Sequence, residues 1–191
     1  MKLLEEKIVR EGVVYPGKIL KVGSFLNHQV DVVFMRGIAE EFYRLFRGEP
    51  VTKILTVETS GIAVGYPVAE CFGVPLLFGK KNRTKNLSDD CYCAKVTSYT
   101  HAVTYDVVLE KQFLSSEDHV LLIDDFLANG CALEGLISLC QQAGAHIAGA
   151  GIVIEKAFQD GGKLLRAQGI RVESLARIAD MDPEGGITFA S

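Results

Sequence analysis

The sequence predicts an α/β fold with a mostly parallel central sheet flanked by helices. Three observations carry this. Short apolar runs suited to buried strands alternate with segments of helical spacing. Gly73 and Gly144 close two of the helical segments, where a chain leaving a helix favours a left-handed residue. The run Val120 to Ala132, V-L-L-I-D-D-F-L-A-N-G-C-A, joins a strand to a helix through a loop of small residues. Strands separated by helices pair in parallel through right-handed crossovers.

The elements follow in chain order. Leu3, Leu4, Ile8 and Val9 suit one face of a short first helix. Extended apolar residues with glycine and proline run from Val14 to Val22. Asp31 to Phe46 is spaced as a helix through Val33, Phe34, Ile38, Phe42, Leu45 and Phe46, with Gly48 as a stop and Pro50 beyond. Phe34, Phe42 and Phe46 are assigned to core or interface. Lys53 to Val57 is a strand, Thr59 to Gly61 a turn, and Ile62 to Phe72 a helix closed by Gly73. Val74 to Phe78 is the next strand. Lys80 to Asp90 is polar and basic, and reads as an exposed loop or hairpin tip. Cys91 to Glu110 alternates weakly and suits two strands. Ser115 to Asp118 is a turn before the strand beginning at Val120, and Ala132 to Ala143 is the helix after it, ended by Gly144. Ile147 to Ile154 is a strand, Lys163 to Gln168 a short helix, and Ile170 to Leu175 a last strand.

Composition narrows the function classes. A chain of 191 residues suits one domain with a real core, and 48% apolar residues is ordinary for a globular protein. A net charge of −4 argues against nonspecific nucleic-acid binding. The first ten residues are charged and periodic, unlike a secretory segment. No apolar run approaches the ~20 residues of a membrane span. Five cysteines, an odd number, fit reduced thiols in the cytoplasm. Cys91 and Cys93 have no second pair or nearby histidine to complete a metal site, and spacing of two places them on one strand face.

In a parallel sheet, ligands bind beyond the C-terminal strand ends. Three loops leave that edge: Glu58 to Ile62, Asp124 to Ala132, and Lys156 to Gly162. In the second, backbone N–H groups at a helix start, turned by Gly130, offer a cradle for a phosphate. Carboxylates beside an anion repel it unless they face hydroxyls or a divalent cation. Asp124 and Asp125 therefore suit a sugar phosphate, with Mg2+ supplying the cation. Alone, the acidic pair reads equally well as a helix-capping turn. The Ala128-Asn129-Gly130-Cys131-Ala132 run tips it to phosphate binding. Glu58-Thr59-Ser60-Gly61 alone reads more simply as a plain β-to-α turn, the lysines from Lys80 to Lys85 as a solvated loop, and Lys156 as a surface lysine.

The Val120 to Ala132 run resembles the phosphoribosyl-pyrophosphate (PRPP) signature of type I phosphoribosyltransferases. Val22 to Gln29, Gly151 to Phe158 and Val172 to Ile178 resemble the subfamily that uses xanthine, and the likeness covers nearly the whole chain. It implies the type I phosphoribosyltransferase fold: a five-stranded core sheet under a small N-terminal hood, all within a single domain 1–191. Residues 1–50 then supply the hood and the base-binding segment. It implies purine salvage, with 5-phosphoribosyl moving from PRPP to N9 of xanthine. It also implies Mg2+ bound with PRPP, not by protein side chains alone, and a homodimer.

The implied roles run as follows. Asp124 and Asp125 meet the ribose hydroxyls and favour the cationic sugar of the transition state. Ala128, Asn129, Gly130, Cys131 and Ala132 hold the 5′-phosphate. Glu58, Thr59, Ser60 and Gly61 form the pyrophosphate cradle. Lys80, Lys81 and Arg83 lie on a basic loop that closes over it and excludes water. Leu20, Asn27 and Lys156 contact the base. Lys156 donates to purine O6, Phe158 stacks on the ring, and Asn27 meets the 2-oxo group that hypoxanthine lacks. One departure stands out: the subfamily leads us to expect glutamine where this chain has Cys131. A thiol at a helix start is expected to alkylate readily in the empty protein and to be protected by PRPP.

Two alternatives remain at this level. One is the same chemistry on hypoxanthine or guanine. The other is a non-catalytic PRPP-sensing regulator, although the stretch before Lys53 is short for a winged-helix domain alongside the hood.

Overall fold

The computed structural model describes residues 1–81, 90–98 and 103–190. The chain opens with helix α1 (Lys2–Glu11), hairpin strands β1 (Val13–Tyr15) and β2 (Ile19–Lys21), and a wide helical turn at Gly23–Asn27. Helix α2 (Val32–Phe46) follows, capped by the Asp31 carboxylate, which accepts from the Phe34 N–H. Then come β3 (Lys53–Val57), α3 (Ser60–Phe72), β4 (Leu76–Lys81), β5 (Cys91–Ser98) and β6 (Val103–Glu110). The chain closes with β7 (His119–Leu127), α4 (Cys131–Ala143), β8 (His146–Lys156), α5 (Gly161–Ala167), β9 (Val172–Asp182) and β10 (Gly186–Phe189).

Among the described residues, β3 to β10 form one eight-stranded sheet in the order β10-β9-β8-β7-β3-β4-β6-β5. The run β9-β8-β7-β3-β4 is parallel, the expected five-stranded core. Antiparallel strands extend it at both edges. The three central crossovers pass through α3, α4 and α5, so the loops after β3, β7 and β8 open at one edge. Hydrophobic residues cover both faces. Leu4, Ile8, Phe25, Phe42 and Phe46 pack with α3 on one side, and Leu133, Leu136 and Leu139 of α4 pack on the other.

Several boundaries differ from the sequence expectation. Leu3 and Val9 are 64% and 62% exposed, because α1 buries only the narrower stripe of Leu4, Lys7 and Ile8. Val33 of α2 is exposed for the same reason. The strand expected at Val74 to Phe78 starts at Leu76 and runs on to Lys81. The strand expected to end at Leu175 continues to Asp182 and returns as β10, since Asp182 accepts from the Glu184 and Gly185 N–H groups to turn the chain. Most of the expected basic loop, including Arg83 and Lys85, lies outside the described residues.

Candidate active site

The loop after β7 is shaped from two sides. Gly130 adopts a left-handed φ of +90° at the start of α4, which a side chain would strain. Asn129 Oδ1 accepts from the Cys131 N–H at 3.3 Å. From behind, the Gly161 N–H donates to the Ala128 carbonyl at 3.1 Å. A Cβ on Gly161 would collide with that carbonyl and lie 2.5 Å from Gly130 N. The loop thus keeps its shape only while residue 161 has no side chain. Sequence reasoning missed Gly161; its signal was the Gly161-Gly162 doublet on the third loop of the same edge.

The acids sit at the end of β7, 5% (Asp124) and 7% (Asp125) exposed. Successive strand residues face opposite ways. Asp124 lies toward the loop after β3: a Cβ on Gly61 would stand 3.4 Å from Asp124 Oδ1 and would collide with Thr56 Oγ1. Asp125 turns to the hood, where its Oδ2 accepts from Asn27 Nδ2 at 3.1 Å. The Asp125 N–H donates to Asp124 Oδ1 at 2.9 Å. Burial, then the negative charge of Asp125, push the Asp124 carboxyl well above the usual carboxylate range. Among the described residues the fully buried Thr56 hydroxyl has no hydrogen-bond partner, a second site element the sequence did not reveal. Two oxygen-bearing acids suit sugar hydroxyls or a hard divalent cation. Among the described residues no group of three histidine, cysteine or acidic side chains converges to hold a metal.

The loop after β3 is braced by its own acid. Glu58 Oε1 accepts from the Lys81 N–H at 2.5 Å, and the Glu58 N–H donates to the Gly79 carbonyl at 3.1 Å. The Glu58–Thr59 peptide is cis. Thr59, Ser60 and Lys81 line a cleft of about 800 Å³ together with Leu20 and Asn27. The segment expected to read the base therefore shares a cleft with the expected pyrophosphate loop.

Lys156 ends β8 and lines a separate cleft of about 400 Å³ with Ala128, Asn129, Cys131 and Ala132. Its Nζ donates to the Lys18 carbonyl at 3.1 Å, and burial lowers its ammonium below the ordinary lysine value. Phe158 is half-buried against the core, and Lys18 Nζ lies 4.9 Å over its ring, so one face of that ring is taken. Before Lys156, Glu155 is 2% exposed and receives both Arg166 nitrogens at 2.8 Å. Burial acts to raise its carboxyl. The paired hydrogen bonds from Arg166 and the charges of Arg166 and Arg177 outweigh that and hold it below the usual range. This clamp ties α5, and with it Gly161, to β8.

Cys131 departs from expectation. Burial, then the Glu134 charge, raise its thiol above the usual cysteine value, so the helix start does not make it a ready thiolate.

No family model matches the chain. The xanthine phosphoribosyltransferase of Bacillus cereus is 53% identical over 189 residues, covering 99% of this chain and 95% of that protein. That of Lachnoclostridium phytofermentans is 50% identical over 186 residues, covering 97% and 96%. The chain belongs to the xanthine phosphoribosyltransferase family. Among solved structures, adenine phosphoribosyltransferase from Thermoanaerobacter pseudethanolicus matches with a TM-score of 0.74 at 21% identity, covering 91% of this chain and 99% of that one. The fold is accordingly that of the type I phosphoribosyltransferases.

Proposed function

We propose that this chain is a purine-salvage enzyme. It transfers 5-phosphoribosyl from PRPP to N9 of xanthine, giving xanthosine 5′-monophosphate and pyrophosphate. The observation that carries this is the glycine-backed loop at Ala128–Ala132 beside two buried acids. The C1–O bond to pyrophosphate breaks as the N9–C1 bond forms, through a sugar with cationic character, and the base gives up its imidazole proton. Asp125, and Asp124 once ionised, accept from the ribose hydroxyls and stabilise that charge. The Ala128–Ala132 N–H groups hold the 5′-phosphate. Thr59, Ser60 and Gly61 take the pyrophosphate with Lys81, while Glu58 keeps the loop in shape. Leu20, Asn27, Lys156 and Phe158 hold the base, with Asn27 toward its 2-oxo group and Lys156 toward O6. Mg2+, if carried in with PRPP, would supply charge neutralisation for the pyrophosphate.

We further propose one domain, with residues 1–50 as hood and base-binding segment, because the core formed by α1 and the wide turn is continuous with that of α2 and α3. We also propose a cytoplasmic homodimer. Exposed Val32, Val33 and Tyr66 on α2 and α3 supply apolar surface for such a contact. A spectrophotometric assay with PRPP, Mg2+ and each oxopurine tests the function. Xanthine turning over fastest supports it; hypoxanthine or guanine ahead of xanthine, or PRPP binding without turnover of any base, contradicts it. Light scattering tests the dimer.

A further inference from the structure

One aromatic residue, Tyr105, lines the cleft beside the Ala128–Ala132 loop without a role in the assignment above. Tyr105 lies on β6, on the face it shares with buried Val107 two residues on. Across the ladder it pairs with Val96, which packs so closely on α4 that a Cβ on Gly135 would collide with it. The β5–β6 hairpin therefore rests on the first turns of α4. That contact places Tyr105 in one cleft with Ala128, Asn129, Cys131 and Ala132. Lys81 Nζ lies 5.3 Å over the Tyr105 ring, and Lys81 is also close enough to act on Asp124. Tyr105 thus touches the cation at the end of β4 with its ring and shares a cleft with the loop at the start of α4. Burial, followed by the negative charge of Asp124, raises the phenol above its ordinary value, so it remains a donor across the working pH range.

A neutral O–H at the mouth of a loop of N–H groups suits a phosphate oxygen, which accepts several short bonds at once. We propose that Tyr105 is a further donor-binding residue: its hydroxyl donates to the 5′-phosphate seated on Ala128–Ala132, and its ring holds Lys81 beside the acidic pair. This rests on the reading of that loop as the phosphate site.

Calorimetry with ribose 5-phosphate and with pyrophosphate, on the intact protein and on Tyr105→Phe, tests it without turnover. Tyr105→Phe keeps the ring and its packing, so its Tm should stay near that of the parent. It should weaken ribose 5-phosphate about tenfold, as loss of one bond to a charged acceptor does, and leave pyrophosphate within about twofold. Tyr105→Ala should weaken pyrophosphate as well, because Lys81 loses its seat. In turnover, Tyr105→Phe should raise KM for PRPP while KM for xanthine holds. Unchanged ribose 5-phosphate binding in Tyr105→Phe, or equal weakening of both ligands, overturns the proposal. If the parent protein binds ribose 5-phosphate but forms no xanthosine monophosphate, the xanthine reading fails, and Tyr105 is judged on the binding ratio alone. If the parent binds no ribose 5-phosphate, both fall.

Discussion

Asn27 donates its side-chain N–H to Asp125 at 3.1 Å, joining residues 98 apart in the chain. Asn27 closes the wide turn of the hood, and Asp125 lies two residues before the end of the central strand of the sheet. The proposed base reader and the proposed ribose reader are therefore one hydrogen bond apart. A carboxylate has lone pairs enough for both an amide and a sugar hydroxyl. Asn27→Ala should cut kcat/KM for xanthine about tenfold and that for hypoxanthine less than about threefold, because only xanthine loses a partner for its 2-oxo group. An equal fall for both bases would show that Asn27 acts through Asp125 and does not read the 2-position.

Asp124 should oppose stability while serving catalysis. Its folded pKa is raised, so it costs nothing below the ordinary carboxylate range, and its penalty grows as pH rises from that range up to the folded value, beyond which it is complete. Asp124→Asn should therefore raise Tm at pH 8, by about 2–4 °C for each kcal/mol of penalty removed, and lower kcat by about a hundredfold. The Tm gain should vanish below about pH 4, where the parent carboxyl is also protonated. Thermal melts across that range check the sign; a lower Tm for the variant at pH 8 would contradict it.

Glu155 should behave in the opposite sense. Its folded pKa is lowered, so its stabilisation is present above the ordinary carboxylate range and is lost as pH falls through it. Glu155→Gln leaves Arg166 without its bidentate partner, at a cost of about 3 kcal/mol near neutral pH. Denaturant melts at pH 7 and pH 3 should show the difference shrinking in acid.

Gly161→Ala should act on the donor and spare the base. The added methyl has no room against Ala128 and Gly130, so the loop must move. We expect KM for PRPP to rise at least about tenfold with KM for xanthine nearly unchanged, since small misplacements of a binding group cost one to two orders of magnitude. Steady-state kinetics with each substrate varied in turn decides this.

Cysteine labelling at pH 8 should follow exposure. Exposed Cys93 should react ahead of Cys131, whose thiol is raised by burial. Cys140, buried and pushed up to about 12, should stay unlabelled in the folded protein. Mass spectrometry of partially alkylated protein reads the order; Cys131 reacting first would contradict it.

The parallel core was legible because buried strands and helix periods differ in spacing, and because Gly73 and Gly144 mark helix ends. The acids and the phosphate loop were legible because Asp124 to Ala132 is one contiguous segment. Gly161, Thr56 and Tyr105 were not. Each meets the site from a different element, and only packing across the sheet brings them there. Cys131 misled for a related reason: its position at a helix start is local, but the burial that sets its thiol is not. The terminal strand β10 was missed because its apolar pattern, Gly186–Phe189, is too short to stand out.

The most direct measurement is a crystal structure with PRPP and Mg2+ bound. We expect the 5′-phosphate within hydrogen-bond distance of the N–H groups from Ala128 to Ala132, and ribose hydroxyls at the carboxylates of Asp124 and Asp125. A phosphate seated away from that loop, with the acids facing no sugar oxygen, would contradict it.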